Sequence, residues 1–202
     1  TAAELVKIDP KSIGVGQYQH DVSQVKLKKS LGAAVEDCVN YVGVDLNTAS
    51  AQSLAYVSGI GKSLAETLVK FRESEGGFVD RRQLLKAPRF SEKIFEQAAG
   101  FLRIYKGINP LDSTFIHPER YELLETWGKS KNIEMEALVR NSSNVEKLEN
   151  DDSVCSQIGE ATLKDIIQSL KAPTQDPRKE FEPIPFQKDL KKLEDVQLGD
   201  WY

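Results

Sequence analysis

At 202 residues and 40% hydrophobic content, the chain is long enough for one ordinary domain or two small ones, each with a modest core. No stretch approaches the roughly 20 apolar residues of a membrane span, and the first residues, TAAELVKIDPKS, lack the apolar core of a signal peptide; a soluble, cytoplasmic chain without membrane contact is expected. A formal net charge of −4 argues against a generally cationic nucleic-acid binder, but Gly59 to Lys106 carries ten Lys/Arg against six Asp/Glu, so a segment of +4 sits in a remainder of −8.

Apolar residues recur at spacings of three and four almost throughout, which predicts an all-α chain. After Ser23, a candidate N-cap, Leu27, Leu31, Ala34, Val35, Cys38, Val39 and Val42 share one face of a long helix that ends near Gly43. Cys38 on that stripe reads as a small buried hydrophobe, and it is too distant in sequence from Cys155 to suggest a pair. Asn47 or Thr48 is expected to cap a short helix carrying Ala51, Leu54 and Val57. The next helix starts after Gly61, stripes Leu64, Ala65, Leu68, Val69 and Phe71, and stops before Gly76 and Gly77. Asp80 with Gln83 resembles a capping box opening a brief helix with Leu84 and Leu85; Arg81, Arg82 and Lys86 on it read as a basic or simply solvated face. Ser91 then caps a helix carrying Ile94, Phe95, Ala98, Phe101 and Leu102.

Helix, tight turn, helix therefore occurs twice within sixty residues, with Ile60 over Phe90 and Gly61 over Ser91. The first N–H groups of a helix have no internal partner and carry partial positive charge, so a glycine-lined turn before them can admit a phosphate oxygen. Lys62 supplies a mobile counter-charge beside it. Phe78 and Phe90 are expected to seal the small core, with Tyr105 as a candidate for base stacking.

Further along, His117 before Pro118 reads as the start of a helix through Trp127, with Tyr121, Leu124 and Trp127 on one side. KLENDDSV (Lys147 to Val154) reads as a charged loop, and Thr162 and Asp165 as the opening of a helix with Leu163, Ile166, Ile167 and Leu170. Four prolines between Ala172 and Pro185 mark an extended linker. His20, Asp9, Asp21, Glu36 and Asp37 invite a metal or acid–base reading, but there is no CxxC, no HExxH and no Cys/His cluster, so neither a metal, a cofactor nor a catalytic group is expected.

VSGIGKSLAETLV resembles a helix-hairpin-helix motif, apolar-Gly-apolar-Gly at its turn. The resemblance extends through KIDPKSIGVGQYQHDVSQ (Lys7 to Gln24), VGVDLNTAS (Val42 to Ser50), AAGFLRI (Ala98 to Ile104), NPLDSTFIHPERY (Asn109 to Tyr121) and ATLKDIIQSL through DPR (Asp176 to Arg178): in that order they are similar to the Tex family of bacterial transcription accessory proteins, related to a eukaryotic elongation factor and histone chaperone. The resemblance implies an internal piece of a longer protein. Residues 1–45 would be a connector and long helix following an RNase H-like domain, 46–106 a tandem helix-hairpin-helix module, 107–172 a helical region, and 173–202 a linker leading into an RNA-binding oligonucleotide-binding barrel whose start VQLGDWY (Val196 to Tyr202) resembles.

On this reading Gly59, Ile60, Gly61, Lys62 and Ser63 of the first hairpin, with Arg89, Ser91 and Lys93 of the second, hold backbone phosphates of DNA or RNA. The second hairpin departs from the motif: Pro88 and Ser91 stand where a strict copy has glycines, so the first hairpin is expected to contribute more. The chain is expected to be a monomer, and two other readings compete: a protein-interaction scaffold contacting transcription machinery, favoured by the acidic balance, and an enzyme of the DNA glycosylase kind, which lacks a recognisable lysine–aspartate arrangement after the hairpin.

Overall fold

Glycine, proline and short polar caps set the element boundaries. The computed structural model describes residues 6–171, apart from the side chain of Arg140, and those residues are all-α save for one pair of two-residue strands. The linker prolines, the DPR segment and VQLGDWY lie outside the described residues. Helix α1 (Pro10–Ile13) opens on a proline whose missing N–H has no intrahelical partner to lose, and Asp9 Oδ1 accepts from Lys11 N at 3.0 Å.

Helix α2 (Gln24–Val42) runs from Ser23 to Gly43 as the pattern predicts, although Ser23 makes no side-chain cap bond. None of its residues is fully buried, and Cys38 is exposed, contrary to the buried thiol expected. The helix meets the rest of the protein along the narrow line Leu27, Leu31, Val35 and Val39, spaced by four; Cys38 stands one position, about 100° of helix rotation, off that line.

Two helix–turn–helix units follow. In the first, α3 (Ala51–Leu54) leads through a hairpin into α4 (Lys62–Glu75); in the second, a 3₁₀ helix (Arg81–Lys86) leads into α5 (Glu92–Ala98). The cap of α3 is Ser50, whose Oγ accepts from Ser53 N at 3.2 Å, rather than Asn47 or Thr48. Asn47 instead ties the two units together: its amide donates to Phe78 O at 2.8 Å and accepts from Phe78 N at 2.7 Å. The Asp80–Gln83 pair acts one residue out of register with a capping box, since Gln83 Oε1 accepts from Val79 N while Asp80 accepts from Arg82 N. Leu46, Leu54, Ile60, Leu68, Phe78, Leu84, Phe90 and Leu102 fill one core, each large side chain contributing roughly 1.5–3 kcal/mol by leaving water. The strands β1 (Val44–Asp45) and β2 (Leu102–Arg103) pair in parallel and close the module where its two ends meet. Two residues are too few to show a strand period in a sequence.

A second core, including Leu111, Tyr121, Leu124, Trp127, Leu138, Leu148 and Ile166, is built by α6 (Tyr121–Lys131), α7 (Met135–Arg140), α8 (Ser142–Glu149), α9 (Asp152–Ile158) and α10 (Glu160–Lys171). The stretch KLENDDSV is not a loop. It holds the end of α8, a two-residue turn and the start of α9, with Leu148 and Val154 buried and Asp151 capping by accepting from Ser153 N at 3.1 Å. Helix α10 starts two residues before Thr162, at Glu160, where Lys164 Nζ lies 2.8 Å from the Glu160 carboxylate one turn back.

The two cores meet around Arg81, which is fully buried and not part of a solvated face. Its Nε donates to Leu102 O and one Nη to both Ile116 O and the Tyr121 hydroxyl, each at 2.7 Å, while the other Nη donates to Thr114 O. Tyr121 in turn donates to Asp112 Oδ1 at 2.8 Å, and Arg81 N to Asp112 Oδ2 at 3.1 Å. Burial raises the Asp112 carboxyl above its ordinary value, against the Tyr121 hydrogen bond and the nearby guanidinium, which favour the charged form. Arg103, also fully buried, lies 3.3 Å from the Phe115 ring centroid and donates to Ser113 O; burial lowers its pKa to about 10, which leaves it charged at neutral pH.

Candidate nucleic-acid interface

The two hairpins have the same backbone and different chemistry. In the first, Ile60 N donates to Val57 O at 2.9 Å and Ala65 N to Gly61 O; in the second, Phe90 N donates to Ala87 O at 3.2 Å and Phe95 N to Ser91 O. Ile60 and Phe90 occupy the same place with 4% and 5% exposure. Ile60 is therefore a core residue that fixes the turn, and its side chain is not presented to a ligand.

The left-handed position of the turn is Gly59, φ +83°, and not Gly61, which is extended at φ −83°. A Cβ at Gly59 would be strained and would stand 3.1 Å from Gln97 Oε1, so this glycine allows the backbone to press against α5. A Cβ at Gly61 would meet nothing within 4 Å. The space in front of the α4 N-terminus is open. Gly61 offers no side chain to cap it, and Lys62 and Ser63 in its first turn are exposed.

In the second hairpin the residue matching Gly59 is Arg89, at φ +68°, rather than Pro88, which the motif reading put in a glycine's place. A non-glycine residue there is strained. The Arg89 side chain crosses to the first hairpin, its Nη1 donating to Ser63 Oγ at 2.9 Å. Ser91 caps its own helix, accepting from Ile94 N at 3.4 Å, and Glu92 places a carboxylate in the first turn; Lys93 is exposed beside it. Lys62, Ser63 and Arg89 are thus brought together at one open helix start, whereas the Ser91 end is already capped and carries an acid.

Asn40 of α2 holds the first hairpin from behind, accepting from Ser58 N at 3.1 Å and donating to Tyr56 O at 3.4 Å. No periodicity in the sequence singles out Asn40, since a polar residue next to an apolar stripe is ordinary. The alignment of Ile60 with Phe90 in the sequence already puts Arg89 in the slot of Gly59, and the positive φ it adopts there follows from that register. His117 sits where expected, its Nδ1 accepting from Glu119 N at 3.4 Å to start the turn Pro118–Arg120. Among the described residues no group of three His, Cys, Asp or Glu side chains converges as a metal site, and no helix is long and apolar enough to cross a membrane.

Comparison with known sequences agrees with this geometry. A family model described as a helix-hairpin-helix motif matches residues 39–103, and a second, described as an HHH domain, matches 109–178. The chain is thus a double helix-hairpin-helix protein, its helical second half included. The transcriptional accessory protein Tex of Neisseria gonorrhoeae is 49% identical over 197 residues, covering 98% of this chain and 26% of the relative. Protein YhgF of Escherichia coli matches at 49% with the same coverage, and human S1 RNA-binding domain-containing protein 1 at 31% over 253 positions, covering 98% of this chain and 25% of the relative. The chain belongs to the Tex family and spans about a quarter of the length of these curated relatives.

Proposed function

We propose that this chain is a non-catalytic nucleic-acid-binding module that grips backbone phosphates of DNA or RNA without reading base sequence. The observation that carries this reading is the uncapped, solvent-open start of α4 at Gly61, with Lys62, Ser63 and Arg89 around it. Exposed N–H groups, a hydroxyl and two flexible cations suit a phosphate, and nothing in the set discriminates a base edge. The relatives' printed names, a transcriptional accessory protein and an S1 RNA-binding domain-containing protein, support a role for the whole protein in transcription and RNA binding.

With about two to four phosphates engaged, log affinity for duplex DNA should fall against log salt with a slope of roughly −2 to −4. Lys62→Ala should leave the fold intact by circular dichroism and shrink that slope by about one. Arg89→Ala should weaken binding less, and Lys191→Ala should do nothing. A Lys62→Ala variant that binds like the parent at low salt with the same slope would remove this reading. In that case a scaffold contacting transcription machinery takes first place, supported by residues 107–171, which hold seven Lys/Arg against twelve Asp/Glu.

A further inference from the structure

Beside the first hairpin lies a groove of about 530 Å³, lined among others by Ile8 of the N-terminal segment, Leu31 and Gly32 of α2, Ala55 and Tyr56 before the hairpin, and Lys62. Lys62 therefore belongs both to the open helix start and to this groove. The volume falls within the range of small-molecule sites, about 300–1,000 Å³, and is ample for a single nucleobase.

The groove's chemistry is unlike that of the hairpin. Its lining mixes aliphatic side chains with one phenol ring, and the carboxylates of Asp9 and Glu66 stand among the cations Lys7, Lys28 and Lys62. The two carboxylates, which the hairpin lacks, can accept from the amino and imino N–H groups that edge a base. Ile8 is 47% exposed there, an apolar side chain left for something flat to cover.

Gly32 gives an independent observation. It stands in the middle of the nineteen-residue helix α2, where glycine costs about 1 kcal/mol relative to alanine. A Cβ built on it meets nothing within 4 Å, so no neighbour requires its absence. Its backbone is helical, so no special conformation requires it either. What the missing side chain does is leave the groove wide at that wall.

We infer that this groove takes one unpaired nucleobase whose adjoining phosphate is held at the Gly61–Lys62 helix start. The inference rests on the phosphate reading of that hairpin, and it adds a preference for single strands. Unpaired bases in DNA and in RNA share the chemistry the groove offers, a flat ring with N–H donors at its edge.

The test compares binding of the whole chain to four probes at one salt concentration: oligo-dT, oligo-rU, a DNA oligomer of equal length made of abasic residues, and a duplex. The parent should bind oligo-dT or oligo-rU about tenfold more tightly than the abasic strand, a stacking-sized difference. Gly32→Leu, which fills the groove wall with a good helix former, should bring that probe down to the abasic level and leave duplex affinity unchanged. Gly32→Ala serves as the folding control: it should raise the melting temperature and keep at least part of the base preference. Which of the two strands loses affinity in Gly32→Leu identifies the natural source. Equal binding of abasic and base-bearing strands by the parent, or a base preference untouched in Gly32→Leu, overturns the inference. Lys62→Ala separates the two readings: weaker binding of every probe upholds the hairpin whatever the groove does, and unchanged binding with the base preference intact removes the hairpin alone.

Discussion

The two hairpins of the tandem module superpose residue for residue at their turns, yet one is open to an anion and the other is closed by its own side chains. Gly59 and Arg89 share the left-handed slot, Ile60 and Phe90 the buried tip, Gly61 and Ser91 the N-cap, Lys62 and Glu92 the first helical residue. The buried tip and the two turn hydrogen bonds set the backbone, and these survive every one of those exchanges. Capacity for a ligand is set by what stands at the helix start: nothing and a lysine in one case, a hydroxyl cap and a carboxylate in the other. A helix-hairpin-helix fold is thus no measure of phosphate binding by itself.

The hairpins also differ in what holds them, and this gives the largest expected effect. The second is anchored by Arg81, the first by Asn40. Arg81→Ala should destabilise the protein by about 3–5 kcal/mol, because it leaves the carbonyls of Leu102, Thr114 and Ile116 buried without their donor and removes the guanidinium that lies 3.8 Å from the buried Asp112 carboxyl. Asn40→Ala should cost only about 1 kcal/mol. Urea midpoints measure both, and equal losses would show that the two anchors are alike.

Next in size is the left-handed slot. Gly59→Ala should lose about 1–2 kcal/mol to backbone strain, with a further penalty from Gln97. Arg89→Gly should change stability in the opposite direction, since it relieves the same strain at the cost of one exposed hydrogen bond. Thermal melts decide, and two losses of equal sign would break the equivalence of the slots.

A smaller effect is expected from converting the closed hairpin towards the open one. Glu92→Lys should steepen the duplex salt slope by about one unit, by adding a cation where a carboxylate now screens the helix start. Mobility-shift titrations at several salt concentrations read this directly, and an unchanged slope would mean that Ser91 alone keeps the second hairpin closed.

The smallest effect concerns the turn between α8 and α9, which carries an acid where the first hairpin carries a lysine. Hydrogen bonds from the Ser153 hydroxyl, then from Lys131 and the Trp127 indole, hold the Asp151 carboxyl below the usual carboxylate range. A depressed folded-state pKa stabilises the protein above the unfolded value of about 3.9, and that contribution fades as pH falls below it. Asp151→Asn should therefore flatten the decline of melting temperature between pH 5 and 3 slightly, and a decline as steep as the parent's would assign it to other groups.

Much of this was legible from spacing. The helices at 24–42 and 62–75 are bounded by Gly43, Gly61 and Gly76, and the repeat with Ile60 over Phe90 holds in three dimensions. What escaped depends on partners distant in the chain. Arg81 looks like any arginine on a short helix until Thr114, Ile116 and Tyr121, more than thirty residues later, surround it. Arg89 occupies a glycine's conformation because the buried Phe90 beside it dictates the turn. The helix α9 was hidden by its acidic cap, since Asp151 and Asp152 read as loop while Val154 two residues on enters the core. The folding of the second half was therefore clearer from its apolar stripes than its boundaries were from its polar ones.

The two-residue parallel ladder between Val44–Asp45 and Leu102–Arg103 has a mechanical consequence. It joins the point where the chain enters the hairpin module to the point where it leaves, with Leu46 N donating to Arg103 O alongside, and Gly43 lies so close to the Arg103 guanidinium that a Cβ there would overlap it. Tension applied between α2 and the second half of the chain pulls these parallel strands along their length, so their hydrogen bonds and the packed arginine bear it in shear. Residues 46–101 hang from that clasp as a closed loop off the line of force. A protein pulled along its length while its hairpins hold a nucleic acid would thus keep both turns in shape until the clasp gives way.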